Sequence, residues 1–384
     1  RTRSSTTSVN STTTPVYTPA STTNRVPTSG TPMSTGSNTS TQSVVDPKDL
    51  ERMAAIVTRM ENLTIIHHHF SHFELDKAEK KISSLHPTVQ ATSQVILARA
   101  RCMLEKCDYA GARLLLEAHH KEFPHKVDGM EILSTALWQQ QDAHALSALA
   151  TRLTENSSTR AESWCAAANS FSLAKQHSQA VQCLERAIKL NPRFAYSYTL
   201  LGHELVDCDE TIKAERAYRG ALAVRPRDYR AWYGLAMVHH KKEQINLAIM
   251  DLEKAISING QNAVLLCQLA SLLQGKGDMD RALATVDKAL EIHPLSVAAQ
   301  YHKARFLYDM RRYPDCLEVL EALKTRASDE ANVYFLLGRV HKRMGDTHKA
   351  LLHFNWASSM DPRGESLLGD LGEPFEDDGL ASSS

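Results

Sequence analysis

A repeat of 34 residues runs through most of this chain. Two successive copies, residues 161–194 and 195–228, carry aromatic, small and proline residues at matched positions. These positions are Trp164, Ala167, Ala168, Phe171, Ala180, Leu184, Ala187 and Pro192 in the first copy, and Tyr198, Leu201, Gly202, Leu205, Ala214, Tyr218, Ala221 and Pro226 in the second. A period of this length is typical of stacked supersecondary units that cannot bury their apolar faces alone. The function of the chain is therefore expected on a stacked surface rather than in a catalytic pocket.

The same register holds for eight copies without an inserted or deleted residue. Their first residues are Ser93, Val127, Ala161, Ala195, Tyr229, Ala263, Val297 and Ala331. Every copy has a small residue at its eighth position, which allows two helices to approach closely. Several copies have proline near their end, where it stops the second helix. The pattern is that of the tetratricopeptide repeat, and it predicts an all-α solenoid of antiparallel helix pairs.

Composition divides the chain into four segments. Residues 1–45 are rich in Ser and Thr and poor in large apolar side chains, so we predict that they are disordered. Residues 46–92 resemble a degenerate helix pair, residues 93–364 form the eight repeats, and residues 365–384 are an acidic tail. Because the chain does not begin with Met, we expect Arg1 to lie within a longer natural chain.

Three threonines of the N-terminal segment, Thr14, Thr18 and Thr31, each precede a proline. Thr-Pro is the minimal form of a proline-directed phosphorylation site, and phosphorylation would add about −1.5 to −2 charge at each. Two alternatives stay open at this point. The pairs can arise by chance in a Thr-rich segment, and such a segment can also be a secreted, mucin-like stalk.

Charge and cysteine usage favour a protein partner in a reducing compartment. Lys and Arg total 44, as do Asp and Glu, which gives no basis for binding nucleic acid or a membrane surface. The seven cysteines include no C-x2-C pair, and no apolar run is long enough for a membrane span. The nucleotide-binding glycine motifs are missing as well. We therefore expect neither catalysis nor a cofactor.

The histidine run His67, His68 and His69, followed by His72, raises the question of a metal site. Adjacent helical residues point about 100° apart, so only His68 and His72 share a helix face. Nearby residues supply neither a carboxylate nor a thiolate that would complete a zinc ligand set. The sequence therefore predicts no metal site.

Polar residues on the first helix of each repeat form the candidate binding surface. In a tetratricopeptide stack, positions 2, 5, 9, 12 and 13 of each repeat face the concave groove. From residue 161 to 241 these positions include Glu162, Cys165, Asn169, Tyr196, Thr199, His203, Asp207, Arg230, Tyr233, Met237 and His240. Such a mixed surface can bind the side chains and terminal carboxylate of a peptide. The alternative is an ordinary solvated helix face.

Several strings resemble one family more closely than the generic repeat requires. ESWCAAANSFSL (162–173), AYSYTLLGHELV (195–206) and AWYGLAMVHHKKE (231–243) resemble the C-terminal repeats of the cell division cycle protein 27 family. So do GMEILSTALW (129–138) and the long string from 333 to 362. The resemblance covers roughly residues 85–364 and rests on WCAAAN, TLLGHE and WYGL, which helix packing does not demand.

This resemblance implies a non-catalytic scaffold subunit of the anaphase-promoting complex, a multisubunit ubiquitin ligase of the nucleus and cytoplasm. In that family the groove binds the C-terminal Ile-Arg tails of coactivators and of a core subunit, which promotes the degradation of cell-cycle proteins. The tail-binding residues expected here are Glu162, Asn169, Tyr196, His203, Glu204 and Tyr233. Members also homodimerise, through N-terminal repeats that this chain does not contain.

Two other classes of function stay open. A different tetratricopeptide adaptor, such as a trafficking or chaperone co-factor, would explain the repeats but not the family strings. The chaperone-binding version carries a Lys where this chain has Cys165, which counts against that partner. An enzyme would need a second folded domain.

Overall fold

The computed structural model describes residues 47–361. The chain divides into two units, residues 1–53 and 54–384. Residues 47–53, the described part of the first unit, are helical. The predicted disordered segment 1–45 with Thr14, Thr18 and Thr31, and the acidic tail 365–384, lie outside the described residues.

Residues 47–361 form helices joined by short turns and contain no strand. The helices are α1 (Pro47–Ser71), α2 (Leu75–Ser83), α3 (Pro87–Gln90), α4 (Ser93–Glu105), α5 (Tyr109–Glu122), α6 (Met130–Gln139), α7 (Ala143–Asn156), α8 (Ala161–Leu173), α9 (His177–Leu190), α10 (Ala195–Asp207), α11 (Thr211–Val224), α12 (Tyr229–Lys241), α13 (Ile245–Ile258), α14 (Ala263–Lys276), α15 (Met279–Ile292), α16 (Val297–Asp309), α17 (Tyr313–Lys324), α18 (Ala331–Met344) and α19 (Thr347–Met360). The all-α tetratricopeptide fold expected from the period is confirmed.

The first helix of each repeat is an even-numbered helix from α4 to α18. With one exception, it begins at the first residue of its repeat. Helix α6 begins at Met130, three residues after Val127. Gly129 precedes it with a φ of 88°, a left-handed conformation that cannot belong to the helix. Helix α6 is therefore shorter than its counterparts, and it packs more extensively against α8 than against α7.

Each turn between the two helices of a repeat contains one residue in the left-handed region. These residues are spaced by 34 and are Cys107, Gln141, Lys175, Asp209, Glu243, Gly277, Arg311 and Gly345. The left-handed residue reverses the chain within a few positions and lets the second helix return antiparallel to the first. Only two of the eight positions have glycine, the residue that adopts this conformation without a steric penalty.

Small residues bring the helices of neighbouring pairs together. The ring of Tyr218 on α11 lies between Gly202 of α10 and Gly234 of α12. A Cβ atom on Gly202 would lie 2.4 Å from the Tyr218 ring, and one on Gly234 would lie 2.3 Å from it. Tyr218 is only 1% exposed, so the absence of both side chains is what makes room for its ring.

Prolines set the ends of several second helices. Helices α5, α9, α11 and α15 each end two residues before a proline, at Pro124, Pro192, Pro226 and Pro294. The residue before a proline is pushed out of helical geometry, which explains the constant offset. Within residues 47–361, none of the helices combines the length and apolarity that a bilayer span requires.

Candidate functional site

The first helices of successive repeats contact one another and form the inner layer of the solenoid. Helices α4, α6, α8, α10 and α12 are in contact one after the next, and each also packs against second helices. Side chains on this layer therefore come from sequence positions about 34 residues apart. The polar residues that the sequence assigned to a groove are on these helices.

A hydrogen-bonded chain connects α8 to α6. Asn169 is 6% exposed, and its Nδ2 donates to Ser134 Oγ at 2.9 Å. Ser134 Oγ in turn donates to the carbonyl oxygen of Glu131 at 2.9 Å. The amide is therefore fixed in orientation, since the buried nitrogen has a specific partner on the neighbouring repeat.

A second polar contact connects α6 to α10. The hydroxyl groups of Thr135 and Tyr196 are hydrogen-bonded, and Thr135 Oγ1 also lies 2.8 Å from the carbonyl oxygen of Glu131. Burial raises the pKa of Tyr196 to about 12, although hydrogen bonds with Thr135 and Asn169 oppose the shift. Tyr196 therefore keeps its proton at physiological pH. Because Thr135 Oγ1 donates to the Glu131 carbonyl, Tyr196 donates this proton to Thr135.

Glu131 accepts the hydrogen bonds of Ser134 and Thr135 through its backbone carbonyl oxygen, and its side-chain carboxylate has other neighbours. It is 8% exposed, and its Oε2 has no hydrogen-bond partner among residues 47–361. Its Oε1 lies 3.7 Å from Arg101 of α4, which is a long ion pair. Burial raises the pKa of Glu131, and Arg101 opposes that rise only in part. The site thus contains a nearly buried acid that lacks a close cation.

Glu162 supplies a second negative charge close to Glu131, whose pKa it helps to raise. Its side chain is 13% exposed and accepts hydrogen bonds from Arg160 at 3.2 Å on both oxygens. Arg160 also contacts Asp128 at 2.6 Å. Unlike Glu131, Glu162 is thus already paired.

Glu204 lies in a different environment from Asn169 and Tyr196. It is 6% exposed, and its Oε2 is 3.0 Å from Nδ1 of His177 at the start of α9. It therefore faces the second helix of the preceding repeat. Residues Asn169 and Glu204, proposed from the sequence to hold the two ends of one peptide tail, are in separate hydrogen-bonded clusters.

His203 and Tyr233 flank the buried Tyr218. The Tyr218 hydroxyl and His203 Nδ1 are hydrogen-bonded at 2.9 Å, and burial lowers the pKa of His203. A neutral His203 that accepts at Nδ1 carries its proton on Nε2 and can donate to a ligand. Tyr233 is half-buried, and burial raises its pKa.

Arg230, the one arginine in the predicted groove, is already engaged. Its Nη2 lies 2.5 Å from Glu105 of α4, and Tyr229 donates to the same carboxylate at 2.7 Å. The Phe73 ring packs edge-on against Tyr229 at 5.1 Å between centroids. The most obvious receiver for a peptide carboxylate is thus occupied by a residue of the first repeat.

Glu162, Glu204 and Arg230 of the inner layer thus have close partners, whereas Oε2 of Glu131 has none among residues 47–361. Ser134, Thr135, Asn169 and Tyr196 offer neutral hydroxyl and amide groups, and α6 also carries the acidic side chain of Glu131. Such a set suits a ligand with a cation next to a group that accepts hydrogen bonds. Sequence reasoning identified Asn169 and Tyr196 but missed Glu131, although Glu131 occupies position 5 of its repeat, one of the inward positions.

Comparison with known proteins agrees with the period and with the fold. Family models described as tetratricopeptide repeat match residues 161–194, 229–262 and 331–363, and a further one matches residues 273–340. The crystal structure of the APC/C hetero-tetramer Cut9-Hcn1 superposes with a TM-score of 0.64 at 18% identity, over 78% of this chain and 59% of that chain. At this identity the structural similarity supports the fold alone.

Curated relatives are similar over a longer stretch. The cell division cycle protein 27 homolog of Caenorhabditis elegans is 44% identical over 295 residues, which is 76% of this chain and 37% of the relative. Anaphase-promoting complex subunit 3 of Schizosaccharomyces pombe is 36% identical over 296 residues, 77% of this chain and 44% of the relative. The chain thus spans about two fifths of the length of these relatives.

Fold and comparisons together define a tetratricopeptide-repeat protein. Its repeat region belongs to the cell division cycle protein 27 family, whose members include proteins named as anaphase-promoting complex subunit 3. The family resemblance inferred from the sequence strings is confirmed.

Proposed function

We propose that this chain is the peptide-docking part of a scaffold subunit of the anaphase-promoting complex and performs no chemistry itself. The proposal is supported by the relatives, among which proteins of three organisms are named as subunits of that complex. It is also supported by the inner layer of first helices, which presents a preformed polar cluster. In this role the chain holds other subunits and coactivators together while ubiquitin transfer occurs elsewhere.

The proposed ligand is a peptide that ends in Ile-Arg, and the observation that carries the proposal is the unpartnered Oε2 of Glu131. A buried carboxylate without a close cation is costly, and an arginine guanidinium can supply two charge-assisted hydrogen bonds to it. Arg101, at 3.7 Å, compensates only part of the charge. A ligand arginine therefore gains more at Glu131 than at the already paired Glu162.

The terminal carboxylate of the same peptide is proposed to lie beside Asn169 and Tyr196. The amide of Asn169 is held in place by Ser134, whereas the Tyr196 hydroxyl donates its proton to Thr135 and is a neutral neighbour of the carboxylate rather than a donor to it. His203, with a proton on Nε2, is a further donor on the same layer, next to Tyr233. A neutral donor set of this kind binds a carboxylate without a second buried positive charge.

Glu204 is the alternative receiver for the guanidinium, as the family strings imply. It differs from Glu131 because His177 already lies 3.0 Å from its Oε2. A guanidinium at Glu204 would have to displace or share that contact. The two acids are therefore distinguished by matched isosteric variants, Glu131→Gln and Glu204→Gln.

Fluorescence anisotropy with a labelled Ile-Arg peptide and the full chain tests this assignment. We expect Glu131→Gln to weaken binding by about tenfold to a hundredfold, because a charged hydrogen bond is worth roughly 1.5–3 kcal/mol. A peptide with an amidated C-terminus should also bind poorly. If only Glu204→Gln weakens binding, the guanidinium binds Glu204 rather than Glu131. If the amidated peptide binds as tightly as the free acid, the terminal carboxylate does not contribute to binding.

The wider role requires a test in cells. We expect the tagged chain, expressed in dividing cells, to be found in the nucleus and cytoplasm and to co-purify with proteins that end in Ile-Arg. Co-purification should be lost with Glu131→Gln if the tail contact holds the assembly. Recovery of trafficking or chaperone proteins instead would favour a different tetratricopeptide adaptor.

A further inference from the structure

Three potential metal ligands meet at the last two repeats, far in sequence from the peptide cluster. Glu321 comes from α17, His341 from α18 and His353 from α19. One ligand atom from each lies within 4.8 Å of the others. Because each residue belongs to a different helix, the group forms only in the folded chain.

The two histidines are buried and incompletely bonded. His341 is 6% exposed and His353 is 4% exposed. Nε2 of His341 and Nδ1 of His353 have no hydrogen-bond partner within residues 47–361. Buried polar nitrogens normally have partners, so two orphaned nitrogens in one place indicate a missing binding partner.

Aromatic side chains pack around the two histidines. The imidazoles of His341 and His353 stack with centroids 5.4 Å apart and an angle of 11°. The Trp356 ring lies edge-on to His353 at 5.3 Å, and Tyr334 lies edge-on to Trp356 at 5.7 Å. Water therefore has restricted access to the imidazole nitrogens, which strengthens any coordination bond formed there.

We propose that Glu321, His341 and His353 bind a Zn²⁺ ion. Two imidazoles and one carboxylate form a known three-residue zinc ligand set, with water as the fourth ligand. Imidazole nitrogens favour zinc over magnesium or calcium, which prefer oxygen ligands. Ligand atoms around a tetrahedral zinc lie about 3.3 Å apart, so the three side chains must move together slightly, and one imidazole must turn out of the stack.

The competing cation at this place is Lys324. Its Nζ lies 3.7 Å from Glu321 and 5.3 Å from the Trp356 ring centroid. The Glu321 side chain is 48% exposed, and such surface pairs contribute little to stability. Zinc can therefore take Glu321 from Lys324, whose long side chain can turn to solvent.

A zinc ion here would hold α17 to the last described helix pair, α18 and α19. Stability in a repeat array is largely a sum of such contacts between neighbouring repeats. A metal bond between these two repeats would thus stabilise their interface. The trio His177, Glu204 and Asp207 is a weaker candidate, since Glu204 and His177 already bind each other at 3.0 Å.

The test is a Zn²⁺ titration of the chelator-treated full chain by calorimetry. The parent for all variants is His68→Gln with His72→Gln, which removes the exposed histidine pair on α1 as a second binding site. His353→Phe and His341→Phe keep an aromatic ring for the stack but cannot coordinate. Glu321→Gln changes only a half-exposed side chain, so it reports on coordination without disturbing the core.

We expect the parent to bind one zinc, His353→Phe and His341→Phe to bind none, and Glu321→Gln to bind at least about tenfold more weakly. Zinc should also raise the melting temperature of the parent but not that of either Phe variant. The visible spectrum of the Co²⁺-substituted parent should be that of a four-coordinate site. The proposal is overturned if the parent binds no zinc, or if a folded His353→Phe variant binds zinc as the parent does.

Discussion

Asn169 Nδ2 donates to Ser134 Oγ at 2.9 Å, which joins α8 to α6 inside the inner layer. Removing the amide in Asn169→Ala therefore affects both stability and the proposed carboxylate site. Ser134→Ala removes the same hydrogen bond but leaves the amide in place. We expect each variant to lose about 1–3 kcal/mol of stability, since each leaves a buried partner group unsatisfied.

Binding separates these two variants. Asn169→Ala should weaken binding of the Ile-Arg peptide by about tenfold or more. Ser134→Ala keeps the amide but no longer fixes its orientation, so it should weaken binding less. Anisotropy titrations with thermal melts on the same samples supply both quantities. Equal weakening in both variants would make Asn169 a purely structural residue.

The raised pKa of Glu131 makes peptide affinity depend on pH. The folded chain binds this proton more tightly than the unfolded chain, whose pKa is near 4.5. Ionised Glu131 therefore destabilises the fold above its folded pKa, and this effect disappears as the pH falls towards 4.5. The charged groups facing Glu131 are Arg101 from α4 and Glu162 from α8.

An arginine peptide binds the ionised form, so its affinity should fall as the pH drops through the folded pKa of Glu131, which lies above 4.5. The carboxylate of the peptide titrates at about 3.3–3.7 and lies below this window. Glu131→Gln should show a flatter profile and be more stable than the wild type at neutral pH. A pH series of anisotropy titrations checks the first statement, and denaturant melts check the second. If the affinities of the wild type and of Glu131→Gln fall equally with pH, the pH dependence comes from another titratable group.

The left-handed turn positions give a prediction about stability. Gly277 has a φ of 89°, and a Cβ placed there meets nothing within 4 Å. Gly277→Ala should therefore destabilise by about 1–2 kcal/mol through backbone strain alone. Gly275→Ala is the matched control: a Cβ there also meets nothing within 4 Å, but Gly275 lies within α14, where alanine is favoured by about 1 kcal/mol. Thermal melts of the two variants should shift in opposite directions.

The close packing around Tyr218 gives a second stability prediction. Gly202→Ala would place a Cβ 2.4 Å from a ring that Gly234 confines on the other side. We expect a loss of about 1–3 kcal/mol or more, because the ring has no room to move. Gly220→Ala is the milder comparison, with 2.9 Å to the half-buried Tyr198 ring. Similar denaturation midpoints for the two variants would show that the Tyr218 ring adapts.

The repeat period predicted the fold because the small residues that recur every 34 positions are those at which helices pack closely. Ala100, Ala168 and Gly202 are small since another helix lies against them, and that requirement is visible at a spacing of 34 residues. The start of α6 at Met130 was not predicted, because the conformation of Gly129 depends on its surroundings. Thr14, Thr18 and Thr31 lie outside the described residues, so their phosphorylation stays a prediction.

The candidate site was predictable only in part. Asn169 and Tyr196 share inward positions and were named from the sequence, whereas Glu204 occupies position 10 and was named from the family string alone. Glu131 was missed because its lack of a close partner depends on side chains from several repeats. Its location at position 5 of the repeat that begins at Val127, an inward position, was the one signal that could have identified it. The zinc ligands combine three helices at irregular spacing, so no local motif identifies them.

A double-mutant cycle tests the central claim, that Glu131 binds the arginine of the tail, most directly. The four affinities needed are those of wild type and Glu131→Gln, each with a peptide ending in Ile-Arg and with one ending in Ile-citrulline, which has the same shape without the charge. A direct contact predicts a coupling free energy of about 1.5–3 kcal/mol, with Glu131→Gln having little effect on the citrulline peptide. A coupling near zero, with both peptides weakened equally, would contradict it.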